Sequence, residues 1–216
     1  MVKIGIGTAS WGQVYAGKQV SGIEEILDYA RGRVEVVDTA PAYNLPAIDF
    51  TGFKVVQKTP YRGDCYALLA HDPDAGLPKH ETAKIGVSVY TPEELDKYID
   101  DIDIVQIPLS IADGRFLPFL PKLRKRGVEI HARSVFLRGM LLDKFDVATC
   151  LGYVLAQDID VAVVGVNSLD ELKGLCEVKP RPAENLNWPE GIVNLRGVSH
   201  DTGYHTGKDV IKQIAR

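Results

Sequence analysis

The sequence predicts a reduced (β/α)8 barrel, an α/β fold of TIM type without the helices that would follow its second, third and fourth strands. Three observations carry this expectation. Eight short runs rich in Val and Ile recur along the chain and are nearly continuous in apolar character, as strands are when both faces of a parallel sheet are covered. Helical patterns separate several of them. The chain has 216 residues, fewer than the roughly 250 that a complete barrel takes.

In chain order the strands are expected at residues 2–6, 34–37, 53–56, 66–69, 84–87, 103–107, 128–132 and 161–164, and helices at 22–30, 92–99, 117–126, 147–156 and 169–176. Thr91, Pro92 and Glu94 read as an N-cap, a first-turn proline and a capping box, and Ser168 with Glu171 repeats the signature before the last helix. Three connections are poor helix material. Residues 41–52 carry Pro41, Pro46 and Gly52, and residues 72–83 carry Pro73, Gly76 and Pro78. Between the third and fourth strands only residues 60–64 clearly remain; at about 3.4 Å each they span about 17 Å, where a parallel crossover normally takes about 10 residues or more. With those helices missing, the outer faces of Val55, Val56, Leu68 and Leu69 are expected to meet water. Residues 1–178 are therefore read as the barrel. Residues 179–216, with Trp188, Ile192, Val193 and Leu195, are read as an extension that packs on it or on a second subunit of a homo-oligomer.

A doubly wound sheet is the competing architecture. Gly5-Ile6-Gly7-Thr8-Ala9-Ser10 resembles half of a G-x-G-x-x-G fingerprint, but Trp11, Gly12, Gln13 and Val14 do not open the helix whose N-terminus a pyrophosphate needs. Composition excludes other classes. A net charge of -4 argues against a nucleic-acid partner, and the basic cluster at 122–126 reads as a solvated helix face. Cys65, Cys150 and Cys176 make an odd count with no C-x-x-C pair, so neither a disulfide framework nor a thiolate zinc site is expected. His200, Asp201 and His205 share no helix face and have no evident third ligand, and His80 and His131 have no visible catalytic partner, so no metal is expected. No apolar run approaches a membrane span and the N-terminal residues lack a signal-peptide pattern; a cytoplasmic location without membrane contact is the expectation.

Chemistry concentrates at consecutive strand ends: Val36-Val37-Asp38-Thr39-Ala40-Pro41-Ala42-Tyr43, then Val56-Gln57-Lys58-Thr59, then Leu68-Leu69-Ala70-His71-Asp72-Pro73. A barrel brings Asp38, Tyr43, Lys58 and His71 to one rim. With the opening Gly5-Ile6-Gly7-Thr8-Ala9-Ser10-Trp11-Gly12, and with Ile85-Gly86-Val87-Ser88, Val105-Gln106-Ile107-Pro108, Ala132-Arg133-Ser134-Val135-Phe136-Leu137-Arg138-Gly139 and Val163-Val164-Gly165-Val166 in order, residues 3 to about 177 resemble an aldo-keto reductase. The resemblance implies Tyr43 as general acid, with Lys58, Asp38 and His71 supporting it. The physical chemistry agrees. Hydride transfer to a carbonyl leaves an alkoxide that must be protonated, and an ammonium lowers a phenol pKa that is otherwise about 10.

For the cofactor, NADP(H) or NAD(H), the resemblance implies Ser88 and Gln106 on the nicotinamide carboxamide and Arg133 stacked on its ring. It places Ser134, Phe136 and Gly139 in the loop that follows the pyrophosphate, and Val166, Ser168 and Glu171 at the last loop and helix start. Two positions depart from the family pattern. Val89 stands where an asparagine is usual, and Glu171 stands where members preferring a 2′-phosphate carry an arginine; Glu171 also has the capping reading given above. Trp11 is placed at the substrate pocket, though a core position accounts for it equally. The expected function is NAD(P)H-dependent reduction of a small aldehyde or ketone. A reductase-like accessory protein without turnover is the alternative, favoured by the lost helices, Val89 and Glu171, and a Schiff-base aldolase acting through Lys58 is a third reading.

Overall fold

The computed structural model describes residues 3–182 except 15, 16, 18 and 62, and in it eight parallel strands close into a barrel in chain order. The strands are β1 (Lys3–Gly7), β2 (Val36–Asp38), β3 (Lys54–Lys58), β4 (Ala67–Ala70), β5 (Lys84–Ser88), β6 (Ile104–Pro108), β7 (Glu129–Arg133) and β8 (Val161–Gly165). Each expected run is present, and each strand ends one or two residues later than its apolar stretch. The extra residues are those at the barrel mouth, several of them polar, which hydrophobic patterning assigns to loops. The helices are α1 (Ile23–Ala30), α2 (Pro92–Asp96), α3 (Leu120–Lys125), α4 (Val147–Leu155) and α5 (Leu169–Cys176). The segment expected as one helix at 117–126 begins as a 3-10 turn, Leu117–Phe119, and becomes α3 with a proline at the start of each part. Thr91 and Glu94 form the capping box of α2, and the Ser168 hydroxyl accepts from Glu171 N at the start of α5.

The three expected omissions are present. A 3-10 turn, Pro41–Tyr43, follows β2 and another, Pro73–Ala75, follows β4, while no described helix joins β3 to β4. The residues expected to cover that side, Trp188, Ile192, Val193 and Leu195, lie outside the described residues, as do His200, Asp201 and His205. The strand register corrects one expectation. Lys58 pairs with Leu69 and Asp38 with Val56, and paired residues of a parallel sheet share a face. Val56 and Leu69 therefore point into the barrel, in a cluster with Val36, Ala67, Ile104, Val161 and Val163. Of the outward pair, Leu68 is buried and Val55 half-buried. Glycines make room for that inner layer: a Cβ on Gly86 would lie 1.9 Å from the Ile104 carbonyl oxygen. The larger core lies between the outer strand faces and the helices, with Ile6, Val105 and Val164 against Leu95, Leu123 and Leu172 among others. No described helix is long and apolar enough to cross a membrane.

The bottom of the barrel is closed by charge. Glu129 Oε2 accepts from the Tyr66 hydroxyl at 2.7 Å and from Lys84 Nζ at 2.6 Å, and its Oε1 lies 2.7 Å from His131 Nε2. Lys54 and Lys84 flank the Tyr66 ring, 4.8 and 5.2 Å from its centre. Burial opposes the charged form of Glu129, yet the bonds from His131, Lys84 and Tyr66 outweigh it and hold its carboxyl well below the usual range. A depressed folded-state pKa gives stability that is complete above the unfolded value of 4.5 and is lost as the pH falls toward the folded one. Glu129→Gln is thus expected to cost more than about 2 kcal/mol at pH 7 and to flatten the loss of stability between pH 5 and pH 3, read from urea midpoints. Parallel pH profiles for the two proteins would show that the carboxylate carries no such linkage.

Candidate active site

Barrel parity sends Asp38 from the end of β2 and Lys58 from the end of β3 into the same layer at the mouth, where Asp38 is 4% and Lys58 2% exposed. Lys58 Nζ donates to Asp38 Oδ1 at 2.5 Å. The other carboxylate oxygen accepts from Gln106 Nε2 at 2.7 Å. Gln106 Oε1 in turn accepts from the Ser88 hydroxyl at 3.2 Å, and Ser88 Oγ accepts from Arg133 Nε at 3.3 Å. One chain of hydrogen bonds therefore runs from β7 through β5 and β6 to the β2–β3 ion pair. Burial pulls the Lys58 ammonium below its ordinary pKa, and Asp38 opposes that pull by favouring the charged form.

Tyr43 overhangs this pair, its ring centre 5.6 Å from Lys58 Nζ. The 3-10 turn that carries it starts at Pro41 and ends at Asn44, which takes a left-handed conformation (φ 53). Gly12 of the first loop fixes the turn from above, since a Cβ there would lie 2.2 Å from the carbonyl oxygens of both Tyr43 and Asn44. His71 completes the group, its ring edge-to-face with Tyr43 at 6.4 Å and its amide donating to Thr59 Oγ1 at 3.0 Å. Burial, with Lys58 second, lowers the His71 pKa and so favours the neutral imidazole.

These four residues open onto a cavity of about 410 Å³ that also has Ser88, Gln106 and Arg133 in its wall. A second cavity of the same size extends from it toward α5, and Ser10, Phe136, Arg138 and Gly165 line both. The loop between them is strained: Ser134 (φ 61), Leu137 (φ 45) and Arg138 (φ 60) are left-handed without being glycine, followed by Gly139 (φ 92). Such conformations cost about 1–3 kcal/mol each and concentrate at ligand sites. At the far end, Asn167 donates to Glu171 Oε2 from its backbone N (2.9 Å) and from Nδ2 (3.0 Å), while its buried Oδ1 has no donor among the described residues.

The expected residues thus fall into groups. Asp38, Tyr43, Lys58, His71, Ser88, Gln106, Arg133 and Ser134 line the first cavity, Gly139 and Glu171 the second, and Phe136 both. Val166 and Ser168 line neither cavity: Ser168 caps α5, and the Val166 carbonyl accepts from Trp11 Nε1 at 2.7 Å. Trp11 itself is buried among core residues, and the bond to that carbonyl satisfies its indole N–H there. Sequence reasoning gave no role to Tyr90, whose ring lies 4.1 Å from the Arg133 guanidinium carbon, to Asn167, or to the positioning of Tyr43 by Gly12. Only the Gly12 motif left any trace in the sequence. His131 and His80 are structural, His131 paired with Glu129 and His80 accepting from Ala83 N at 3.1 Å. Among the described residues, no cluster of three or more metal-ligating side chains occurs.

No protein-family model matches the chain, nor does any curated protein. Solved structures do. An aldo-keto reductase from Pseudomonas aeruginosa superposes with a TM-score of 0.62 at 16% identity, over 82% of this chain and 89% of its own. The holo form of one from Bacillus halodurans gives 0.60 at 15%, over 84% and 89%. One from Klebsiella pneumoniae, in complex with NADP and acetate, gives 0.54 at 14%, over 86% and 93%. The protein is a barrel with the fold of the aldo-keto reductases, reduced on the side of β2 to β4.

Removing one partner of a buried ion pair strands the other. Lys58→Met is expected to cost about 3–5 kcal/mol in urea unfolding, and Lys58→Met combined with Asp38→Asn much less than the sum of the single changes. Additive losses would mean that the two groups do not share their burial cost.

Proposed function

We propose that the protein reduces an aldehyde or ketone with NADH or NADPH, with Tyr43 as the general acid. The observation that carries this reading is the buried Lys58–Asp38 pair beneath the Tyr43 ring, at a cavity into which His71 also projects. The reacting carbonyl oxygen gains charge during reduction and needs a proton. Tyr43 O–H supplies it, and the nearby Lys58 ammonium stabilises the negative charge left on the phenol oxygen. Asp38 holds the ammonium in place. Neutral His71 orients the carbonyl oxygen by donating an N–H to it without adding a second positive charge.

The cofactor supplies a hydride when bound. The residues present suit it: two joined cavities, a strained loop at their junction with Arg138, and an unpartnered Asn167 acceptor in the second. Ser88, Gln106 and Arg133 would hold its nicotinamide end, Ser134, Phe136, Arg138 and Gly139 its middle, and Asn167 with Glu171 its adenosine end. Asp170 and Glu171 put two carboxylates in the wall of that last cavity, which suits a ribose hydroxyl better than a phosphate.

Tyr43→Phe is expected to lower kcat by about 100-fold or more while cofactor binding, followed by NAD(P)H fluorescence, persists. If neither nucleotide binds the wild type, the accessory-protein reading replaces this one. In the same titration NADH is expected to bind more tightly than NADPH, and Glu171→Arg to shift the ratio of the two dissociation constants at least tenfold toward NADPH; an unshifted ratio would place the ribose elsewhere.

A further inference from the structure

We infer that Tyr90 is a positioning residue of the cofactor site, acting on the nicotinamide through Arg133. This rests on the reductase reading, which already places Arg133 at the nicotinamide end of the cofactor. Arg133 ends β7, and β6 lies between that strand and β5. Its side chain nevertheless meets three consecutive residues at the end of β5. Ser88 Oγ accepts from Nε at 3.3 Å, the Val89 carbonyl accepts from Nη2 at 2.7 Å, and the Tyr90 ring centre lies 4.1 Å from the guanidinium carbon. Ser134 Oγ accepts from Nη1 at 3.2 Å.

The N–H donors of a guanidinium lie in its plane, so those three acceptors hold its edges. The Tyr90 ring, centred over the carbon between them, covers a face. Such contacts are favoured by the ring's negative face and by the flatness of the guanidinium. Tyr90 is itself fixed through its backbone: its N donates to Glu94 Oε2 at 2.6 Å, the carboxylate that completes the capping box of α2, and Ser88 and Val89 beside it are buried. The Tyr90 hydroxyl makes no hydrogen bond among the described residues, so the ring carries the contact. Tyr90 and Arg133 both line the first cavity. A flat ligand group placed against Arg133 is therefore restricted to the face opposite Tyr90. An arginine already held in this way loses little further rotamer freedom when the ligand arrives.

The test compares wild type with Tyr90→Leu, which keeps an apolar side chain at this half-buried position, with Tyr90→Phe, with Arg133→Gln and with the Tyr90→Leu/Arg133→Gln double variant. Calorimetry gives the dissociation constant of whichever of NADH and NADPH binds more tightly, and of the matching ADP-ribose or 2′-phospho-ADP-ribose, which lacks the nicotinamide. Tyr90→Leu is expected to weaken the dinucleotide about fivefold and to leave the ADP-ribose unchanged. Tyr90→Phe is expected to bind both as wild type does, and in the Arg133→Gln background Tyr90→Leu is expected to add no further loss. Equal weakening of both ligands, the same loss in Tyr90→Phe as in Tyr90→Leu, or a loss that persists in the Arg133→Gln background overturns the inference. Dinucleotide binding indifferent to Tyr90→Leu ends it while the reductase reading stands; a wild type that binds neither nucleotide ends both.

Discussion

A carboxylate buried inside a β-barrel must be surrounded by donors, and the mouth of this barrel is organised around that requirement. Asp38 is 4% exposed and each of its oxygens has a partner of its own, the Lys58 ammonium on one and the Gln106 amide on the other. Neither charge would be tolerable alone, because the desolvation of each is offset only by the other and by the remaining hydrogen bonds. Gln106 thereby acquires a fixed amide orientation, which in turn fixes Ser88 as its donor and leaves Ser88 Oγ as an acceptor for Arg133. Five strands, β2, β3, β5, β6 and β7, are tied together by a single polar layer.

The same layer accounts for how the shortened side is tolerated. A helix after each strand normally buries the outer face, but β2, β3 and β4 have none among the described residues. What these strands contribute inward is independent of that loss: Val36, Val56, Ala67 and Leu69 pack in one interior cluster, and Asp38 and Lys58 face inward at the strand ends. The two 3-10 turns that follow β2 and β4 are shaped by other means. Prolines start both 3-10 turns, and the backbone of Tyr43 and Asn44 presses on Gly12 too closely for any side chain. Tyr43 is thus held from the first loop rather than by a helix of its own.

Much of this was legible in the sequence, and the boundary of legibility is physical. Strand existence followed from apolar runs, and the missing helices from prolines and from a link too short for a crossover. Asp38, Tyr43, Lys58 and His71 could be assembled because strand ends of a barrel share a rim. Face assignment was not legible, as Val56 and Leu69 demonstrate: a run apolar at every position carries no period-two signal, and only the register with Lys58 decides which residues turn inward. Ser88, Gln106 and Arg133 could be placed at the site but not connected, because their bonds cross between strands 18 to 68 residues apart. Trp11 was ambiguous for a related reason: its indole acceptor, the Val166 carbonyl, is 155 residues away.

The polar layer also sets the charge state of the groups above it. Burial already disfavours the protonated forms of Lys58 and His71, and Arg133 adds to that pressure from across the mouth. Asp38 relieves Lys58 directly, by a hydrogen bond, but reaches His71 only through space. Two cationic candidates in one cavity are thereby treated differently: Lys58 has a hydrogen-bonded carboxylate that favours its charge, whereas the balance at His71 favours the neutral imidazole.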